Sequence, residues 1–239
     1  MIRRFFSLTF VLLVFLSSQT IQAQLNNHAA WNTLLQKYVS ATGSVNYAGF
    51  KADKAALDAY LNLLSAGVPS GASKNAQMAY YINAYNAFTI KLIVDNYPVK
   101  SIRDIKAGKP WDYKFVKLGA QTYSLNQIEH EILRKQYFDP RLHFVLVCAA
   151  KSCPKLHNQA FTEANVQTLM GQLTTGFINN AARNKITAAK AQVSELFNWY
   201  KEDFTKSGTV VDFLNKYSQV KLNANAALSY LPYDWSLNQ

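Results

Sequence analysis

The chain of 239 residues holds two cysteines, Cys148 and Cys153, and four histidines. No two of these residues show the spacing of a zinc knuckle or of a His-Glu-x-x-His helix, so the sequence calls for no metal and no cofactor. Acidic residues are scarce, 14 against 25 Lys and Arg, for a net charge of +11. The basic residues are nonetheless scattered, with no run of four. This is a solvated basic surface with no dedicated nucleic-acid signal. There is no internal repeat, no low-complexity tract and no Pro/Ser-rich linker, which argues against a string of domains. The longest polar break, residues 65–73, is loop-sized. Beyond the N-terminus no stretch is apolar over the ~20 residues that a membrane-spanning helix needs, so no transmembrane segment is expected in the mature chain.

The N-terminus is different. A basic start with Arg3 and Arg4 leads into an apolar run from Phe5 to Leu16, then a small polar stretch ending in Ile21-Gln22-Ala23. That is the pattern of a secretory signal peptide over residues 1–23, with cleavage near Ala23. No cysteine follows the cut, so a lipoprotein is not expected; an uncleaved membrane anchor is the alternative. Residues 24–239 are then read as one domain, periplasmic or secreted, with 23 basic against 14 acidic residues, in a compartment where disulfides form.

The patterning of this domain predicts a helix-rich α+β fold around a small, mostly buried sheet. Asn26 or Asn27 can cap a helix to about Ser40, with Trp31, Leu34, Leu35 and Tyr38 on one stripe. A second helix runs over 55–64. Ser73 caps a third that reaches Asn96 ahead of Pro98 and is apolar nearly all round, hence central. Strands are expected over 111–118 and 121–123. Ser124 and Gln127 form a capping box for a helix over 125–137. The nearly unbroken apolar run from Leu142 to Ala149 reads as a strand buried on both faces. A helix from Thr162 to about Ala182, a hairpin over 185–193, helices over 194–204, 210–217 and 225–231, and a final strand over 233–237 complete the expectation.

Several motifs together resemble one family. They are Trp31-x-x-Leu-Leu-x-x-Tyr38 with Val45-Asn46-Tyr47; Tyr81-Ile-Asn-Ala-Tyr-Asn-Ala-Phe88; Asn96-Tyr-Pro98 with Ser101-Ile102; Ser124-Leu125 with Ile128-Glu-His-x-Ile-Leu-Arg134; Asp139-Pro-Arg-x-His-Phe144; the segment Cys148–Pro154; Trp199-Tyr200 with Asp203-Phe204; and Tyr233-Asp-Trp-Ser-Leu-Asn238. In order and nearly over the whole mature chain, they resemble the family called domain of unknown function 547. The resemblance implies frequent export in bacteria and no established activity. It also implies that a Cys148–Cys153 disulfide is no family-wide requirement, since some relatives in the wider family keep the first cysteine and carry serine for the second.

The residues themselves leave two readings open. In the first, Cys148 is the nucleophile of a thiol-dependent hydrolase or acyl transferase. His143 differs from Cys148 by five positions, so a regular strand would turn the two to opposite faces, roughly 16 Å apart. His143 is then a hydrogen-bonded buried histidine. His130, on the preceding helix between Glu129 and Glu131, becomes the base, with Glu129 or Asp234 as its orienter. Asn83 supplies an oxyanion donor. His157 can reach back to either thiol, and His28 is expected at the surface. Asn83 and Asn86, one turn apart on the central helix, must have partners, because an unpaired buried amide costs about 1–3 kcal/mol. They either pin a neighbouring loop or wall a pocket. In the second reading the protein is a non-catalytic periplasmic binding or interaction domain, and Cys148 and Cys153 close a short structural disulfide. The ligand in either case is a small molecule, a peptide or a glycan.

Overall fold

A computed structural model describes residues 28–239, so the expected signal peptide over 1–23 and the capping residues Asn26 and Asn27 lie outside the described residues. The first helix, Ala29–Tyr38, starts instead at His28, whose backbone is left-handed (φ 49°). His28 is not at the surface. It is 2 % exposed, its Nδ1 lies 2.8 Å from the Tyr60 hydroxyl, and burial lowers its pKa to about 4.

The long helix Lys74–Asn96 is central, as its all-round apolar character requires. Ser73 caps it by accepting from the Ala76 amide at 3.2 Å. Helices Tyr47–Ala52 and Lys54–Leu64 pack against it, and the first helix packs on both of these. Trp31 stacks on Tyr60 with ring centroids 5.6 Å apart. A second hydrophobic cluster surrounds Phe144, Phe177, Phe197, Phe204 and Phe213.

Strands are few. β1 (Val116–Leu118) and β2 (Gln121–Tyr123) form an antiparallel ribbon, a shorter pairing than the strand expected over 111–118. β3 (Lys185–Ile186), β4 (Lys190–Ser194) and β5 (Ala227–Leu231) form the other sheet. β3 and β4 make the expected hairpin. β5 pairs parallel to β4, from Lys190↔Ala227 to Ser194↔Leu231, where a short helix was expected. The period-two pattern of Ala226, Leu228 and Tyr230, all packed against the second cluster, is the signal that favours strand there.

The apolar run 142–149 is not a strand. Asp139 caps a 3-10 turn over Pro140–Phe144, accepting from the Arg141 amide at 2.9 Å, and the chain then continues as irregular coil. An apolar run buried on every side looks alike as strand or as coil; the Asp-Pro start signal identifies the turn. The helix after Ser124 also departs from the regular form. Gln127–Leu133 is a π-helix, continued by one α-helical turn over Arg134–Gln136, although the Ser124–Gln127 capping box forms in both directions. The helix expected from Thr162 runs over Val166–Ile178, and that expected over 194–204 is broken into Leu196–Trp199 and Lys201–Phe204.

The tail 233–239 is not a regular strand but is stitched into the interior. Lys151 and Ser152 amides donate to the carbonyls of Ser236 (2.8 Å) and Asp234 (3.1 Å), Asn238 donates to Ala149 (3.1 Å), and Val45 donates to Asn238 (2.8 Å). Leu237 is buried in the main core. Deleting residues 233–239 is therefore expected to abolish soluble, cooperative folding; a truncated chain with a native-like urea transition would refute this. Burial of His28 in its neutral form has a pH signature. The unfolded chain takes up a proton below the ordinary value of 6.5 and the folded chain does so only near 4, so stability should fall between these values by on the order of 2–4 kcal/mol. His28→Asn, which tolerates the left-handed backbone, should flatten that slope when urea unfolding is followed from pH 7 to pH 4.5.

Candidate functional site

Two amides on the central helix set the floor of the site. Asn86 Nδ2 donates to the Val145 carbonyl at 2.9 Å, and its Oδ1 accepts from the Val147 amide at 3.0 Å. The amide thus replaces the neighbouring strand that an extended buried segment would need. Asn83 does the same one turn away for Phe161, donating to its carbonyl at 2.7 Å and accepting from its amide at 3.1 Å. Both side chains are taken up by backbone, so they pin loops and Asn83 is no oxyanion donor in this arrangement.

Past Val147 the chain turns sharply. Ala149 adopts a left-handed φ of 60°, rare for a residue with a side chain and maintained here by the tail, which bonds the Ala149 carbonyl and bridges Ala150 to Leu237. The turn presents Cys148, half-buried, over Cys153. Both are free thiols. The Cys148 amide donates to Cys153 Sγ at 2.9 Å, and Cys148 Sγ lies 3.1 Å from the Tyr233 hydroxyl. Burial works against a charge on Cys148. Hydrogen bonds from the Cys153 thiol, the Tyr233 hydroxyl and the Ala150 backbone nevertheless bring its pKa below the ordinary thiol value. Burial, then the hydrogen bond and charge of Cys148, push Cys153 well up. Burial and the two sulfurs likewise raise Tyr233, so its hydroxyl stays a donor.

The cavity above Cys148 measures about 230 Å³ and is lined chiefly by aromatic rings: Tyr85, Trp111, Trp199, Tyr200, Tyr233 and Trp235. Trp199 stands at its mouth, 47 % exposed, 5.7 Å from the ring of Trp235 and 4.8 Å from that of Tyr233. Among these rings lie His143 and Glu129. Without a strand, the expected separation of His143 from Cys148 onto opposite faces does not arise: both line the same cavity.

His143 is held tightly. Its Nε2 lies 2.8 Å from Asp203 Oδ2, and its ring stacks on Tyr200 with centroids 3.8 Å apart. Arg134 Nε donates to the same Asp203 oxygen at 2.7 Å. Burial opposes ionisation of Asp203, but the hydrogen bonds from His143 and Arg134 hold its carboxyl well below the usual carboxylate range. The anionic Asp203 requires a proton on His143 Nε2, which leaves Nδ1 as the basic nitrogen.

His130 does not line the cavity. Its Nδ1 lies 2.8 Å from Arg134 Nη1. A guanidinium only donates, so this nitrogen accepts and braces Arg134. The π-helix separates it from its neighbour: Glu129, 6 % exposed, turns inward and accepts from the Tyr200 hydroxyl at 2.8 Å. Asp234 does not orient a histidine. Its Oδ1 accepts from the Ser236 amide and hydroxyl at 2.9 and 2.6 Å in an exposed turn. His157 lines a different cavity, behind Pro154. Residue-by-residue reading overlooked Tyr200, Asp203, Tyr233 and the tryptophans. A carboxylate one position before Phe204, in a Trp-Tyr-x-x-Asp-Phe motif, was the available signal. Among the described residues no group of three or more His, Cys, Asp or Glu is placed to hold a metal ion.

A family model described as "Protein of unknown function, DUF547" matches residues 69–178. The match takes in Cys148, Cys153, Glu129 and His143, while Tyr200, Asp203 and Tyr233 come from beyond it. No curated protein and no solved structure matches the chain.

The clamp by Asn86 can be tested directly. Asn86→Ala leaves the Val145 carbonyl and the Val147 amide unpaired in the interior, and should lower the unfolding free energy measured in urea by roughly 2–4 kcal/mol. A loss below about 0.5 kcal/mol, the range of ordinary surface changes, would show that the clamp is dispensable.

Proposed function

We propose that this chain, whose residues 69–178 match the DUF547 family model, is a thiol-dependent hydrolase or acyl transferase with Cys148 as nucleophile. The observation that carries this reading is that Cys148 and an Asp203-held His143 line one aromatic cavity of about 230 Å³. Cys148 is activated by hydrogen bonds from Tyr233 and Cys153, and His143 replaces His130 as the acid–base group. The thiol proton passes to His143 across the cavity as sulfur attacks the acyl carbon. The C–S bond forms, the bond to the leaving group breaks, and His143 returns the proton to that group. Water or another acceptor then releases the acyl group by the reverse steps. Asp203 stabilises the imidazolium and Arg134 fixes Asp203; both are positioning residues. The rings suit a ligand with a flat or apolar face, whether a small molecule, a peptide or a glycan. Export to the periplasm or beyond belongs to the same proposal and rests on the pattern of residues 1–23.

Reaction of the unreduced protein with iodoacetamide, followed by intact mass across pH, tests the nucleophile. Cys148 should label with a midpoint below the ordinary thiol value of 9.0. Tyr233→Phe should raise that midpoint and slow labelling at pH 7, because a donor to the thiolate is lost. His143→Ala should leave the labelled fraction intact yet reduce hydrolysis of an activated ester by ~10²–10⁴-fold. A chain in which both cysteines resist alkylation until reductant is added would sink the proposal. It would favour instead the non-catalytic binding domain with a Cys148–Cys153 bridge.

A further inference from the structure

Behind the Cys148 loop lies a second cavity, of about 580 Å³, that shares Cys153 and Pro154 with the first as a common wall. Its character is opposite. Lys151, Lys155 and Arg183 line it, and no Asp or Glu does. Among the described residues no side-chain carboxylate forms an ion pair with these cations. Lys155 Nζ donates to the carbonyl of Ala41 at 3.1 Å, and Arg183 donates to the carbonyl of Lys151. Asp234 is engaged first by Ser236, interacts with Lys151 and Arg183 only after that, and lies outside the lining. His157 is also in the wall. Burial and then the charge of Lys155 lower its pKa, so at neutral pH it is an uncharged donor and acceptor. Leu173 and Phe177 supply an apolar side.

The cavity is built rather than incidental. Its rim, residues 41–44, approaches Lys155 so closely that a Cβ on Gly43 would lie 2.4 Å from Lys155 Cβ, and Gly43 has a φ of +91° that only glycine adopts freely. Three cations without ion-pair partners lining one concave, partly apolar space focus a positive potential that a dispersed basic surface does not.

We infer that this cavity is a binding site for an organic anion, a carboxylate or phosphate group on a partly apolar body, held by Lys151, Lys155 and Arg183. The site is independent of the thiol chemistry proposed above. It separates a local charge cluster from the general excess of +11, which has no such geometry.

Titration calorimetry of the full mature chain with pyrophosphate and, separately, with citrate tests the inference. At least one anion should bind saturably and more weakly as salt rises. Pyrophosphate binding alone would assign a phosphate ligand, and citrate binding alone a carboxylate. Lys155→Gln and Arg183→Gln should each weaken binding about tenfold, the effect of losing one charge-assisted hydrogen bond. Lys151 and Lys155 are both exposed side chains, so Lys151→Gln, which should weaken binding likewise, keeps the test valid if Arg183→Gln loses its fold. Lys117→Gln, on the β1–β2 ribbon, should change nothing. Absence of saturable binding of both anions, or an equal loss in the Lys117 variant, would overturn the inference.

Discussion

The hydrogen bonds between the Asn86 amide and the backbone of Val145 and Val147 are the constraint on which the rest of the site depends. An irregular segment cannot lie in a protein interior with its polar groups unpaired, because each would cost about 1–3 kcal/mol. Here the partner is not a strand but one side chain on a helix that is itself buried almost all round. That single substitution of amide for strand lets the chain leave regular structure at depth. The backbone can then turn at Ala149 and deliver a sulfur to the edge of a cavity. Asn83 repeats the device for Phe161, so one face of the central helix acts as a template for two loops.

Asp203 and Arg134 lie behind the cavity, while the Glu129 carboxyl is part of its lining. Asp203 is buried, and two donors converge on one of its oxygens, His143 at 2.8 Å and Arg134 at 2.7 Å. The attraction within this group outweighs the cost of desolvation, as the low pKa of Asp203 records. The histidine is stacked against Tyr200, which is itself tied to Glu129. A ring confined on its face and at one nitrogen has little freedom, which is the condition for a proton carrier that must act in one geometry. Cys148 is held differently, by hydrogen bonds with Tyr233 and Cys153. Its hydrogen-bond partners are thus distinct from the residues that hold the imidazole.

The Cys148–Pro154 loop divides two cavities of opposed chemistry. On one side are aromatic rings, a thiol and a buried carboxylate; on the other are three cations without carboxylate partners. The C-terminal segment binds the loop from outside through the amides of Lys151 and Ser152, and it also supplies Tyr233 and Trp235 to the aromatic wall. The tail's anchoring of the fold and the walls of both cavities therefore draw on the same few residues.

Much of this was readable before any fold was known. The central helix and its Ser73 cap, the Ser124–Gln127 box, the β3–β4 hairpin and the helix-rich α+β class follow from local rules of periodicity, capping and loop chemistry. Those rules act within a few residues, so the sequence by itself determined them. The run 142–149 was misread because burial on all sides erases the alternation that separates strand from coil, and the argument that set His143 and Cys148 on opposite faces fell with it, while His143 is buried and hydrogen-bonded as expected. His143 meets Asp203 across 60 residues, Asn86 meets Val145 across 59, and Cys148 meets Tyr233 across 85. No local pattern encodes such pairings. Which histidine shares a cavity with the thiol, which asparagine holds its loop, and where the unpaired cations gather were decided only when distant segments had to satisfy one another's buried polar groups.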